Sequence, residues 1–378
     1  MAFKLYNFIF YITMAAFGYF NIYFRDIGLD SFQIGLLNAV PRIFALLLMP
    51  IWGVLTDYFQ ENKKVLFITM SGTLFSVLIF PFSSSLKVLM IIMFLYTLFQ
   101  NPILPLSDSL LLDYLGDRSS LYGKFRLWGS LGYMITVSLL GYFLEKTASV
   151  NLFYVYALIL VISMLLLKFL PKSKRDIKVI NLVDFKKVFR KRRLIYFLFF
   201  IFILQTSMNA NYTYFPIYIL DHGGREFLLG VAMTISSASE ILAFLYSDKI
   251  IKGYRFSKII FLISVSFMFR WFALSFFPIT AIILISQLFH SITFGLFFAV
   301  GVDYVNKLSG EKFRATGQNI YSAVYMGLSA VSGSLIGGWI YQFFGGEMMY
   351  LFWGITAIIT GIIYSFYLFK LEEKNKLV

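Results

Sequence analysis

The sequence contains no cysteine. That excludes a disulfide framework, cysteine metal sites and thiol catalysis. Charge is scarce as well, at 14% of 378 residues, against about a quarter in a soluble globular protein. Histidine occurs only at His222 and His290, on separate elements, so a histidine metal centre is unsupported. No phosphate-cradling glycine loop of the P-loop type is present, which argues against direct use of ATP. What remains is apolar: 59% hydrophobic residues, 45 Phe and 25 Tyr, with a mean hydropathy of +0.78. Too few polar residues are available to cover a water-facing surface, so the solvent must be a bilayer, which accepts aromatic residues as bulk and as interfacial anchors.

A hydrocarbon core about 30 Å thick needs roughly 20 apolar residues in a helix. Twelve such runs are present, at 4–24, 32–57, 64–82, 87–113, 120–144, 150–170, 194–220, 227–251, 257–277, 279–304, 314–343 and 346–370. The cut between the ninth and tenth rests on Pro278 and Thr280 alone. The first run is too long for a signal peptide and lacks a small-residue cleavage site, so it reads as a retained helix. The fold expectation is an all-α membrane protein, with bundles at 1–170 and 194–378 joined by a basic linker at 171–193.

Net charge is +14, and its placement decides its meaning. If both termini are cytoplasmic, 26 of the 33 Lys and Arg fall on that side. The outer loops hold only Arg25, Lys87, Lys146 and Arg225. This asymmetry is an orientation signal. The stretch from Lys168 to Arg193 holds eleven basic and two acidic residues and reads as a solvated linker on anionic lipid headgroups, not as a nucleic-acid site.

The halves repeat. Leu98-Phe99-Gln100 leads to Asp113-Tyr114 as Leu288-Phe289-His290 leads to Asp303-Tyr304, and Lys124-Phe125-Arg126 echoes Lys312-Phe313-Arg314. Two six-helix bundles in the same orientation place a transport site between them near the midplane.

Gly53-Val-Leu-Thr-Asp57-Tyr-Phe-Gln60-Glu-Asn-Lys63-Lys64 resembles the signature loop of the major facilitator superfamily, with Gln60 in place of its second glycine. Asp57 would serve as a gating latch that biases a two-state equilibrium. Within the superfamily, Tyr122-Gly123-Lys124-Phe125-Arg126-Leu-Trp128-Gly129-Ser130-Leu-Gly132-Tyr133 is similar to the helix 5 motif of the branch of lactose permease, the nucleoside–proton symporters and the phenylpropionate-permease-like transporters. The resemblance implies the major facilitator fold and substrate-binding roles for Asp108, Arg126 and Tyr133. It also implies proton-coupling roles for Glu240, Arg270 and His290. The sequence departs from lactose permease at Thr293, Gln287, Met326, Thr206, Asn209 and Ala243, so neither lactose nor its proton route carries over.

An ionisable group inside a span is a functional hypothesis by default. Arg42, Asp108, Arg126, Glu240, Arg270 and His290 form that inventory, with Asp113 and Asp303 left to helix ends. Polar stripes accompany them: Gln205, Asn209 and Thr213 on helix 7, Asn38 with Arg42 on helix 2, Gln318, Ser322 and Tyr325 on helix 11, and Ser236, Ser237 and Ser239 beside Glu240. Each stripe alone is helix glue; together they suggest a wet cavity in which Arg42, Asn209 and Gln318 join the substrate site. The expectation is a monomeric multi-pass secondary transporter of the cytoplasmic membrane, moving a small polar or anionic solute by alternating access. It would use no cofactor beyond a proton gradient, have only lipids and substrate as partners, and bind no nucleic acid. A neutral sugar or nucleoside is the alternative substrate. A membrane-embedded enzyme or a transporter-like sensor would need chemistry or a soluble domain that the sequence does not offer.

Overall fold

In hydrocarbon every backbone N–H and C=O must find its partner within the protein, which leaves helices as the solution for runs of this length. The computed structural model, which describes residues 1–59, 62–171 and 191–374, is helical accordingly. The helices are α1 (Ala2–Asp26), α3 (Asn62–Phe82), α4 (Leu86–Leu115), α5 (Tyr122–Lys146), α7 (Arg192–Asp221), α8 (Glu226–Gly253), α9 (Phe256–Phe276) and α10 (Thr280–Ser309), with α2 at Ser31–Phe59 and α6 at Asn151–Leu167. The last stretch, Thr316–Glu373, is bent at Gly345, whose φ of +85° breaks the helix and suits glycine. It forms α11 (316–344) and α12 (346–373). Nine stretches among the described residues are long and apolar enough to cross a membrane. Adding α2 and the shorter α6, and dividing the last stretch at Gly345, gives the expected twelve. The doubtful cut at Pro278 is a true break between Phe276 and Thr280.

Two compact units result, Met1–Val179 with Arg225–Val231 and Ile180–Gly224 with Ala232–Val378. In the first, α1 packs on α5 and α6, α2 on α4, and α3 on α4 and α6. In the second, α7 and α9 pack along the stretch that forms α11 and α12, and α10 packs on α11. The repeat is visible in one crossing. Gly132 of α5 lets α1 approach so closely that a Cβ would collide with the backbone carbonyl of Phe8. Gly333 of α11 does the same for α7 at the carbonyl of Thr206. Small residues at such crossings let backbones meet without a hydrophobic driving force between helices.

The side chain of Asp57, Gln60 and most of the 171–193 linker lie outside the described residues. Asp113 sits near the end of α4, where Asn62 Nδ2 donates to its Oδ2 at 3.3 Å. Asp303 pairs with Lys307 at 2.8 Å one turn on. Both fit helix-end roles.

Candidate functional site

Each unit carries one cluster of intramembrane charge. In the second unit, Arg270 of α9 is 1% exposed. Its Nη1 donates to Thr293 Oγ1 at 2.9 Å and to His290 Nδ1 at 3.0 Å, and its Nη2 donates to Gln287 Oε1 at 2.9 Å. Gln287 Oε1 also accepts from Ser236 Oγ of α8 at 2.9 Å. His290 Nε2 lies 2.9 Å from Glu240 Oε1, also on α8. A guanidinium can only donate, so His290 Nδ1 must accept. The ring proton therefore sits on Nε2 and is given to the Glu240 carboxylate. The chain Arg270–His290–Glu240 thus links a cation to an anion through a neutral imidazole. In this arrangement His290 bridges Arg270 and Glu240 as a neutral ring, because a second ring proton would face Arg270's own N–H.

The helix that presents these ligands is distorted where they sit. Gln287–Phe289 tightens into a 3₁₀ turn and Ser291–Leu296 opens into a π turn. A second π turn occupies Ala323–Leu328 of α11. Single-turn π bulges redirect side chains and recur at functional sites. Here the first carries Thr293, with His290 at its edge, and the second carries Tyr325. Among the described residues, the buried polar atoms without a hydrogen-bond partner include Arg270 Nε, Gln205 Oε1 and Tyr325 Oη.

In the first unit, Arg126 Nη1 is 3.3 Å from Asp108 Oδ1, with the two side chains 33% and 28% exposed. Arg126 also lies over the Tyr11 ring, 4.7 Å from its centroid, a cation–π contact. Tyr6 Oη and Ser107 Oγ, 2.8 Å apart, tie α1 to α4 beside Asp108. Tyr133 is half-buried on α5, seven residues beyond Arg126, which puts it on the same face. Arg42 is half-buried on α2, and no hydrogen bond or ion pair holds it among the described residues. Asn38, one turn before it, is occupied by Asn21 Oδ1 and the Ile34 carbonyl, both at 2.9 Å.

Two other expected site residues are engaged in helix packing. Asn209 Nδ2 donates to the Gln205 carbonyl at 2.9 Å and to Ser329 Oγ at 3.1 Å. Gln318 Nε2 donates to the Val302 carbonyl at 2.8 Å and to Asn306 Oδ1 at 2.9 Å. By sequence Gln287 and Thr293 stand out only as departures from the lactose permease pattern, yet both are ligands of Arg270. Their signal was positional: residues 287, 290 and 293 follow one another at the three-residue spacing that keeps side chains on one helix face.

Residues 1–352 match the model of the MFS_1 like family. The chain is 27% identical over 371 residues to the maltose permease of Geobacillus stearothermophilus, covering 97% of this chain and 94% of that protein. It is 27% identical over 353 residues to the uncharacterized transporter YwbF of Bacillus subtilis (strain 168), covering 93% and 88%. It is 24% identical over 351 residues to the probable 3-phenylpropionic acid transporter of Escherichia coli (strain K12), covering 90% and 89%. The crystal structure of the nucleoside transporter NupG (D323A mutant) superposes with a TM-score of 0.87 at 17% identity, covering 97% of this chain and 99% of that one. That likeness carries the fold. The chain therefore belongs to the MFS_1 like family: it is a multi-pass membrane protein of the major facilitator fold, a secondary transporter of a small-molecule substrate and not an enzyme.

Proposed function

We propose that this transporter moves a small polar or anionic organic solute together with a proton, by alternating access, across the cytoplasmic membrane with both termini in the cytoplasm. The observation that carries the reading is the charge balance of the two clusters. Arg270 is balanced by Glu240 through His290, and Arg126 by Asp108. Arg42 is left over. An arginine stays charged in any environment open to it, and a cation without a counterion at membrane depth is costly. An organic anion supplies the missing charge.

Coupling follows from the same arithmetic. Protonating Glu240 removes the counterion of Arg270 and adds a second uncompensated cation. Binding of a proton and binding of an anion then favour each other, and by linkage the effect is reciprocal. Glu240 is the group that takes the proton in this scheme, since it ends the hydrogen-bonded chain and His290 is held as an acceptor towards Arg270. The orphaned atoms of Gln205, Arg270 and Tyr325 support a solute-facing or wet surface, because a buried polar atom without a partner costs about 1–3 kcal/mol. Asp108, Arg126, Tyr133 and Arg42 form the substrate side. Asn209 and Gln318 contribute by holding helices in register.

A neutral sugar is the second reading. It is favoured by the paired Arg126–Asp108 arrangement beside Tyr11 and Tyr133, and by the maltose permease relative. The test begins with a ligand screen by thermal stabilisation in detergent, followed by uptake into reconstituted vesicles under an imposed proton gradient. Glu240→Gln is expected to abolish uphill uptake and leave exchange intact; loss of both in a folded protein would move Glu240 to a binding role. Arg42→Ala is expected to weaken an anionic ligand at least tenfold, and unchanged affinity would favour the neutral solute.

A further inference from the structure

The internal repeat sets Gln100 of α4 at the position that His290 holds in α10. Both helices leave regular α geometry directly after it, α4 at Asn101–Pro102 and α10 in the π turn that begins at Ser291. In the second unit the residue is engaged, since His290 joins Arg270 to Glu240. In the first unit its counterpart is not. Gln100 is 8% exposed, yet its Oε1 has no hydrogen-bond partner among the described residues. Its Nε2 meets the sulfur of Met14 at 3.7 Å. A thioether accepts weakly and donates nothing, so it draws the amide N–H and leaves the amide oxygen unmatched.

A second unmatched atom stands beside it. Tyr11 lies one turn before Met14 on the same face of α1, and its buried Oη also has no partner among the described residues. The Tyr11 ring is held in place. Arg126 lies over it, 4.7 Å from the centroid, and a Cβ added at Gly129 would stand 2.6 Å from its Cδ2. Elsewhere at this break the chain supplies what is missing. Pro102 has no N–H to give the Leu98 carbonyl, and Trp52 Nε1 donates to that oxygen at 2.9 Å. A buried polar atom left unmade costs about 1–3 kcal/mol, and here two of them adjoin the Asp108–Arg126 pair. Tyr11 and Met14 are half-buried where Ile12, Thr13, Ala15 and Ala16 are buried, so this face of α1 is its open one. Met14 is unbranched and flexible enough to turn aside.

The amide oxygen only accepts, whereas the phenol both donates and accepts. A carboxylate would meet Gln100 Oε1 acceptor to acceptor. An ammonium would satisfy Oε1 but bring a second cation towards Arg126. A hydroxyl donates to Oε1 and accepts from Tyr11 Oη, and so matches both. We propose that Gln100 Oε1 and Tyr11 Oη together bind a hydroxyl group of the transported solute, which makes these two residues determinants of specificity for hydroxylated molecules. The proposal rests on the reading that the solute sits at Asp108 and Arg126, and not on the charge of the solute.

Thermal unfolding of the full chain in detergent tests this with gluconate, glucose and hexanoate as probes. Gluconate is charged and hydroxylated, glucose is hydroxylated only, and hexanoate is charged only. Gluconate should raise the unfolding temperature of the wild type, and hexanoate should not. Glucose acting as well as gluconate would keep the hydroxyl site and remove the anionic reading. Hexanoate acting as well as gluconate overturns the proposal, as does a wild type that responds to neither hydroxylated probe. Gln100→Leu and Tyr11→Phe should each require about tenfold more of the active probe, the loss of one hydrogen bond. Without solute, both should unfold at a higher temperature than the wild type, because an unmatched buried polar atom has been removed. A lower unfolding temperature in both would show that these atoms serve the fold, and overturns the proposal. Tyr11→Phe removes a single oxygen and decides the matter if Gln100→Leu fails to fold. Asp108→Asn should also lose the response. A response that survives Asp108→Asn but vanishes in Tyr11→Phe would keep the hydroxyl site and move the rest of the solute away from Asp108.

Discussion

A guanidinium at membrane depth must have its donors placed, and Arg270 places them on three side chains of one neighbouring helix: Gln287, His290 and Thr293. The planar fork is what allows this, because donors diverging from one rigid plane reach acceptors on successive helical turns. Lysine offers a single point of charge on a flexible stem. Arg270→Lys should therefore lower transport at least tenfold in reconstituted vesicles while the protein remains folded by gel filtration. Gln287→Leu removes one acceptor from Arg270 and the partner of Ser236 Oγ. It should cost about 1–3 kcal/mol of stability, the penalty for a buried donor left unmade, read as a lower unfolding temperature in detergent. At this scale the sequence was informative about ionisable groups and poor about their neutral ligands. Glu240, Arg270 and His290 stand out because charge inside a span is rare. Gln287 and Thr293 do not, because uncharged polar residues in spans ordinarily serve as helix glue. The tautomer of His290 depends on which atom faces which nitrogen, and no spacing rule encodes that.

Among the elements, helix positions were legible and helix irregularities were not. Runs of apolar residues bounded by charge or glycine located the spans, down to the turns at Pro278 and Gly345. The π turns at Ser291–Leu296 and Ala323–Leu328 have no comparable signal. A π turn holds one residue more than an α-helical ladder would, and packing against neighbours sustains it. Gly295 in the first π turn brings α10 against Ala243 of α8, next to the helix segment that carries Glu240. The crossings of α1 with α5 and of α7 with α11 yield the prediction at this scale. Gly132 and Gly333 leave no room for a Cβ against the facing backbone carbonyl, and backbone cannot step aside as a side chain can. Gly132→Val and Gly333→Val should each destabilise by about 1–3 kcal/mol, the usual cost of overpacking. Gly123, with open space at its Cβ position, should tolerate alanine. Thermal unfolding of the three variants compares them directly. Equal melting temperatures for Gly333→Val and Gly123→Ala would show that the crossing can spread apart.

For the whole molecule, the distribution of charge bears on how the chain sits in its membrane. The +14 net charge is concentrated in the loops that share a side with the termini, and lysine and arginine near span ends resist translocation. Both termini and the loop after α6 are therefore expected in the cytoplasm, with the α3–α4 and α5–α6 turns outside. The absence of cysteine makes this testable in the native background, since any introduced thiol is the only one. Lys87→Cys in the first turn of α4 and Lys146→Cys at the end of α5 replace exposed residues. They should react with a membrane-impermeant maleimide in intact cells. Lys252→Cys, at a side chain 75% exposed near the end of α8, and Lys307→Cys, 47% exposed near the end of α10, should react only after the membrane is opened. The reverse pattern would invert the molecule. Glu240 would then meet the opposite compartment in each half of the cycle, yet the solute would still move with the proton down the imposed gradient, because mutually favoured binding of the two fixes the direction of symport whichever way the protein faces.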